Sequence, residues 1–337
     1  MALVLVTGAC GNVGRSTVSA LLAAGHRVRI LEADTRRNRY LAPALCRRWR
    51  ALGRGRLEAI LFGDVREEAI VADAVSGIEA VVHLAAVIPP LADRDPALAS
   101  SVNIQGTANL IRACISRGAG RRAAPPRFVL ASSIAIYGDR LGDYWIRSGD
   151  PLKPSPGDVY AASKVEAERL VRESGLPFTM LRLSYVVWRK KLDPDPLLFH
   201  MPLATRIEVC HTEDVGRAFA AACVSEGVRG ATLDIGGGPR CRTTYRDYLD
   251  RMFSLFGLGG ASWLPERAFA ASGFHCGWYA DSEEAEQLLH FRRKGLEQYY
   301  AEVREEARWL RLVARMGAPI FRARLLAGSP YLAAADA

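Results

Sequence analysis

Lysine is scarce in this chain. Lys153, Lys164, Lys190, Lys191 and Lys294 are the only five in 337 residues, so arginine carries nearly all of a formal charge of +9. An arginine-rich genome explains that bias as readily as an acidic partner does, and it gives no reason to expect nucleic acid. A basic protein would still draw phosphorylated cofactors and substrates through its general field. The seven cysteines, at positions 10, 46, 114, 210, 223, 241 and 276, include no Cys-x-x-Cys pair and no His/Cys ligand spacing. An odd, scattered set argues against a disulfide scaffold and suits buried thiols in a reducing compartment. None of the six histidines forms a pair with metal spacing, so no metal is expected. No apolar run reaches the roughly 18 residues of a membrane span. Ala2-Leu3-Val4-Leu5-Val6 leads straight into a glycine-rich turn, which reads as a strand rather than a signal peptide. Cytoplasm is the expected location.

What is present is a rhythm. Apolar strand-like runs at 2–7, 27–32, 57–62, 79–84, 127–131 and 178–182 alternate with helical patterns at 12–24, 66–75, 97–117 and 158–173. That alternation predicts an α/β protein with a parallel sheet covered on both faces. Three segments break it. Residues 34–56 are arginine-rich and read as a loop. Residues 140–157 carry Pro151, Pro154 and Pro156, and residues 186–206 carry Pro194, Pro196 and Pro202. Helical patterns resume at 243–256, 281–290 and 294–316, the last of them amphipathic and rich in arginine.

Two motifs carry chemistry. Gly8, Gly11 and Gly14, around Asn12 and Val13, lie between the first strand and the first helix. Glycines there let the backbone approach a pyrophosphate, with the helix N-terminus supplying positive potential. Glu32, 18 residues after Gly14 at the end of the second strand, can accept the ribose hydroxyls of NAD and would repel the extra phosphate of NADP. Arg36, Arg37 and Arg39 pull the other way, since guanidinium groups suit phosphate. NAD is expected, with NADP as the alternative. Further along, Tyr160 and Lys164 fall one helical turn apart and share a face. A free phenol has a pKa of about 10, and an adjacent ammonium group lowers it toward working pH. Such a tyrosine can take a proton from an alcohol or return one to a ketone.

In order and spacing these motifs resemble the extended short-chain dehydrogenase/reductases, the NAD-dependent epimerase/dehydratase group. The resemblance takes in Gly63-Asp64-Val65, Val81-Val82-His83-Leu84-Ala85-Ala86, Asn103-Ile104-Gln105-Gly106-Thr107 and Ser132-Ser133-Ile134-Ala135-Ile136-Tyr137-Gly138. It continues through Tyr160/Lys164, His211-Thr212-Glu213-Asp214-Val215 and Ile235-Gly236-Gly237-Gly238, and covers about residues 2–255. It implies a Rossmann-type doubly wound parallel sheet with a smaller C-terminal substrate-binding lobe. The sheet domain would be 1–185 with 207–235 returning to it, and the lobe 186–206 with 236–337. It implies catalytic Ser133, Tyr160 and Lys164, with Asn103 in support and Lys164 also binding the nicotinamide ribose. Asp64 and Val65 would meet the adenine, and Leu84, Ala85 and Ala86 would let the cofactor lie flat. His83 and His211 are expected to be structural. A homodimer built on the 97–117 and 158–173 helices is implied as well.

The chain also departs from the sugar-nucleotide members of that group. Ile134-Ala135 stand where the 4,6-dehydratases carry an acid and a base, so dehydration by that route is disfavoured. Tyr185 replaces the usual asparagine after the sixth strand, Trp188 and Arg189 replace Gly-Pro, and the usual phosphate-gripping set is missing. Tyr144, Trp145, Tyr185 and Trp188 are expected to wall a substrate cleft suited to an apolar or ring-bearing molecule. The expected activity is hydride transfer at a secondary alcohol or ketone carbon, by an oxidoreductase or an epimerase. A sugar-nucleotide epimerase with an atypical phosphate site and a non-catalytic dinucleotide sensor are the alternatives. Trp309, Leu310, Leu312, Val313 and Met316, among Arg304, Arg308, Arg311 and Arg315, are expected to pack on the substrate lobe. Docking on a membrane surface is the competing reading.

Overall fold

The computed structural model describes residues 1–119, 124–191 and 197–335; Pro194 and Pro196 lie outside the described residues. The strands, in chain order, are β1 (Leu3–Thr7), β2 (Arg27–Glu32), β3 (Arg56–Phe62), β4 (Ala80–His83), β5 (Arg127–Ser133) and β6 (Trp145–Ile146). They continue as β7 (Phe178–Leu183), β8 (Tyr185–Val187), β9 (Arg206–His211), β10 (Thr232–Ile235), β11 (Arg242–Thr244) and β12 (Trp278–Tyr279). Seven of them form one parallel sheet in the order β10-β7-β5-β4-β1-β2-β3. This is the Rossmann-type arrangement, with strand order reversing between β1 and β4. Register places Thr7 beside His83, and His83 beside Leu130. The carboxyl ends of β1, β4 and β5 therefore open onto one crevice, where such sheets bind ligands.

Alternation along each strand builds two cores. Val4, Val6, Val28, Ile30, Val82, Val129 and Leu181 face one side, while Leu3, Leu5, Leu31, Val81, Phe128, Leu130 and Met180 face the other. Within 207–235, β10 joins the main sheet and helix Thr212–Ala222 packs on helix Asn12–Ala23. Strand β9 instead pairs with β8 and β11 in a small separate sheet. A third core lies in the C-terminal part, centred on Tyr245, Tyr248, Phe253, Tyr299 and Val303. Glu208, buried on β9 between Ile207 and Val209 of that core, is a polar hub on the other face of the strand. It accepts hydrogen bonds from Gly238 N (2.9 Å), Tyr279 N (3.1 Å), Arg242 Nε (2.9 Å) and Ser282 Oγ (3.2 Å).

Three expectations are corrected. Residues 34–56 do not form a loop: Arg36–Arg50 is a helix, capped by the Thr35 hydroxyl accepting from Asn38 N. Asn38, Ala42 and Trp49 form its buried stripe, which the many arginines disguised. The long helix over 97–117 is interrupted by a π-helical turn at Ser101–Gln105. The pattern at 294–316 divides into Leu296–Glu306 and Arg308–Ala327.

Candidate active site

The glycine loop closes tightly on the end of β4. Gly8 has φ +71°, and a Cβ there would lie 2.9 Å from Ala85 N. A Cβ on Gly14 would overlap Gly8 O and Ala9 Cα. Only glycine allows this approach. Gly11 caps helix Asn12–Ala23 with extended backbone and no side-chain hydrogen bond, so no side chain competes for the first-turn amides. That is the geometry an anion such as a pyrophosphate needs.

Glu32 is buried and turned toward this loop. Its carboxylate accepts from Cys10 N (2.6 Å), Asn38 Nδ2 (3.0 Å) and Ala33 N (3.3 Å), and burial raises its pKa. The carboxylate thus ties β2 to the glycine loop before it meets any ligand, and Asn38, which sequence reading passed over, helps aim it. Arg39 is engaged with Asp34 and stacks over Phe62, while Arg36 and Arg37 stay exposed. Asp64 is held by Arg66, which donates from its backbone (2.8 Å) and from its guanidinium, and this lowers the Asp64 pKa. Val65 is buried beside Gly106. The residues present fit a dinucleotide lying across this edge.

A buried relay links the loop to the helix that precedes β5. Thr7 Oγ1 accepts from Leu84 N (3.2 Å) and Ala85 N (3.1 Å) and lies 2.8 Å from His83 Nδ1. His83 Nε2 lies 3.0 Å from Thr107 Oγ1, which donates to Asn103 O (2.6 Å). With Thr107 already donating, the Nε2–H of a neutral imidazole completes the chain. Burial pushes His83 down to about 3. Asn103, on the π-helical turn, clamps Val87 by both backbone groups (2.7 and 3.0 Å) and donates to Ser163 Oγ (2.9 Å). Ser163 in turn donates to Tyr160 O (2.7 Å). Such turns recur at functional sites, and here one seats the asparagine.

Helix Val159–Glu173 carries Tyr160 and Lys164, capped by Asp158 accepting from Ala161 N (2.8 Å). Ser133 ends β5; its hydroxyl accepts from Ala135 N (3.2 Å) and is close enough to the Tyr160 side chain to lower its pKa. The structure thus brings Ser133, Tyr160 and Lys164 together. The electrostatics differ from expectation. Burial pushes Tyr160 up to about 12, with the Ser133 hydroxyl acting in the opposite direction. Lys164 is pushed down to about 8, also by burial. Its Nζ donates to Ala131 O (2.8 Å) and lies 5.8 Å from the centre of the Tyr160 ring. Desolvation, with Asp158 acting in the same direction, therefore dominates, and Tyr160 rests as a neutral phenol.

A cavity of about 160 Å³ lies against Ser133, lined by Ile134, Tyr185, Met201, Tyr245, Phe274 and His275 among others. His275 Nδ1 is 3.4 Å from Asp158 and its ring stacks on Phe274. No arginine or lysine lines this cavity among the described residues. Of the four aromatics expected to wall the cleft, only Tyr185 does so. Tyr144 and Trp145 pack with Trp278 under Arg206 and Arg242, because β6 pairs with β12 and sets Trp145 beside Trp278. Trp188 lines a separate groove with Trp49 and Arg189. Tyr245, Phe274 and His275 come from distant sequence with no motif to mark them.

A family model described as the NAD dependent epimerase/dehydratase family matches residues 4–196. The chain belongs to this family. It is 35% identical over 176 residues to a 3 beta-hydroxysteroid dehydrogenase/Delta 5-->4-isomerase of Mycobacterium tuberculosis, a match covering 50% of this chain and 41% of that protein. It is 34% identical over 146 residues to a UDP-glucose 4-epimerase of Klebsiella pneumoniae, covering 41% of this chain and 93% of that one. The chain thus spans less than half the length of the hydroxysteroid dehydrogenase it matches. Among solved structures, Pal from Bacillus thuringiensis aligns with a TM-score of 0.70 at 20% identity, over 91% of this chain and 99% of that one. The Thermus thermophilus UDP-glucose 4-epimerase complex with NAD gives 0.68 at 22% identity, over 91% and 99%. At such identities the structural likeness shows the fold. Among the described residues, no helix is long and apolar enough to cross a membrane.

Proposed function

We propose that the protein is an NAD-dependent oxidoreductase acting at a secondary alcohol or ketone carbon. The carrying observation is the grouping of Ser133, at the end of β5, with Tyr160 and with buried Lys164, whose Nζ donates to Ala131 O on the same strand. Gly8, Gly11, Asn12, Val13 and Gly14 would hold the pyrophosphate, Glu32 the adenosine ribose, Asp64 and Val65 the adenine, and Leu84, Ala85 and Ala86 the flat floor. NAD held there supplies the hydride acceptor or donor. Ser133 fixes the reacting oxygen. Tyr160, a neutral phenol at rest, hands its proton to a carbonyl oxygen in reduction and, once ionised, takes the hydroxyl proton in oxidation. Lys164 meets the nicotinamide ribose and, when charged, favours the phenolate. Asn103 and Ser163 hold the helix that carries both.

Net oxidation or reduction is preferred over epimerisation because the cavity beside Ser133 is apolar and aromatic and offers no arginine or lysine to a nucleotide diphosphate. Ile134 and Ala135, both buried, leave no acid–base pair for dehydration. A homodimer in a cytoplasmic setting belongs to the same reading. Calorimetry should show NAD binding more tightly than NADP, and a panel of secondary alcohols should then yield NADH. Strong binding of a UDP-sugar would transfer the preference to the epimerase.

A further inference from the structure

Helix Arg308–Ala327 buries none of its residues completely. Ala314, Ala318, Leu325 and Leu326 lean on the core of the C-terminal lobe, as expected for a packing helix. The rest of the expectation fails. Trp309, Leu312, Val313, Met316 and Ile320 are 65–84% exposed. By helical spacing they fall within one stripe about 100° wide, opposite the alanines that pack inward. A contiguous apolar stripe on a water-facing helix marks an interaction surface. The helix also carries five arginines and no acidic residue. Spacing sets Arg308 and Arg315 on one flank of the stripe and Arg324 on the other.

Charge decides the occupant. Two copies of this face brought together would oppose arginine to arginine, whereas an anionic lipid surface complements them. An amphipathic helix with tryptophan on its apolar face and arginine at its edges suits the interfacial plane, and this helix does not qualify to cross a bilayer.

The structure adds a second observation beneath the same helix. A cavity of about 270 Å³ is lined from above by Leu310, Val313 and Phe321, and below by Tyr185, Tyr245 and Met252 among others. Tyr185 and Tyr245 also line the smaller cavity against Ser133, so they are a wall common to both. The Tyr185 hydroxyl accepts from Lys191 Nζ (3.0 Å) and the Tyr245 hydroxyl donates to Leu198 O (3.0 Å). Their polar tips are thus occupied, while Lys191, which lines the same cavity, sets its Nζ 4.6 Å from the centre of the Tyr185 ring.

We propose that Arg308–Ala327 seats the protein on an anionic lipid surface, and that the cavity beneath it receives the hydrocarbon body of a lipid-soluble molecule. Neither half rests on the hydride-transfer reading. The full chain should float with vesicles of mixed phosphatidylglycerol and phosphatidylcholine, and at least tenfold less with phosphatidylcholine alone. Leu312→Gln/Met316→Gln/Ile320→Gln should abolish flotation, and Arg308→Gln/Arg315→Gln should weaken it and flatten its salt dependence. No flotation of the wild type, or self-association that the triple variant removes, would overturn the lipid assignment. For the cavity, 2-decanol should bind the NAD-loaded protein saturably by calorimetry. Ala314→Trp should weaken that binding at least tenfold while leaving NAD affinity unchanged. An unchanged 2-decanol affinity in this variant, or no saturable binding to the wild type, would overturn it. Binding of 2-decanol without any NADH formation would instead count against the hydride-transfer reading and leave the cavity standing.

Discussion

Ser133 stands between two regions built on opposite terms. On the dinucleotide side, backbone atoms and short polar side chains meet at hydrogen-bond distance: Ala85 on Thr7, Thr7 on His83, Thr107 on Asn103. A methyl group added at Gly14 already collides with the chain. On the substrate side, Tyr185, Tyr245, Tyr248 and Phe274 enclose space through ring contacts, and two cavities remain among them. Hydrogen bonds of the first kind cost about 1–3 kcal/mol each when a buried partner is left unmet. Apolar walls of the second kind can change size and still fold. The chemistry is therefore held fixed while the substrate can vary.

The sharpest way to break that contrast is at Tyr160. Tyr160→Phe should cut turnover by about 10²–10⁴ while NAD affinity changes little, measured by NADH formation and calorimetry. A protein that kept its biological activity with this change would be a dinucleotide sensor. In the wild type, a phenol pushed up to about 12 should make alcohol oxidation faster as pH rises, since the phenolate fraction grows about tenfold per unit below that value. Ketone reduction, which uses the protonated form, should stay nearly flat across neutral pH.

The second test falls on the other side. Glu208→Ala leaves Arg242 and three further donors without their acceptor, and should cost about 3–5 kcal/mol in urea unfolding. A loss under about 1 kcal/mol would mean that the C-terminal lobe is held by its aromatic core alone.

The smallest effect belongs to His83. Folded, it titrates near 3, whereas the unfolded side chain titrates near 6.5. Between those values the unfolded state binds the extra proton, so stability should fall as pH drops from about 6.5 toward 3, by up to a few kcal/mol. His83→Gln should make that slope shallower in pH-dependent thermal unfolding. An unchanged slope would remove His83 from the relay.

Much of the sheet was legible because its signals are local. Apolar runs marked β1, β2, β3, β4, β5 and β7 to within a residue or two, and the glycines marked the turn between β1 and the first helix. Ser133, Tyr160 and Lys164 were legible for the same reason, each standing at a fixed place on its own element. The helix at Arg36–Arg50 was hidden because its arginines masked a stripe of only a few apolar residues. Tyr144 and Trp145 were misplaced because nothing local says that β6 will pair with β12. Phe274 and His275 carried no signal at all.

By itself, then, the sequence determined the order of the parallel strands' elements, the glycine turn and the residues that can move a proton. Those depend on backbone sterics and on side chains a few positions apart. Tertiary structure alone decided which aromatics enclose the space beside Ser133, that burial sets the phenol, and that the stripe from Trp309 to Ile320 faces outward. Each of these depends on which surfaces lose water, and desolvation is a property of the assembled molecule rather than of any segment in it.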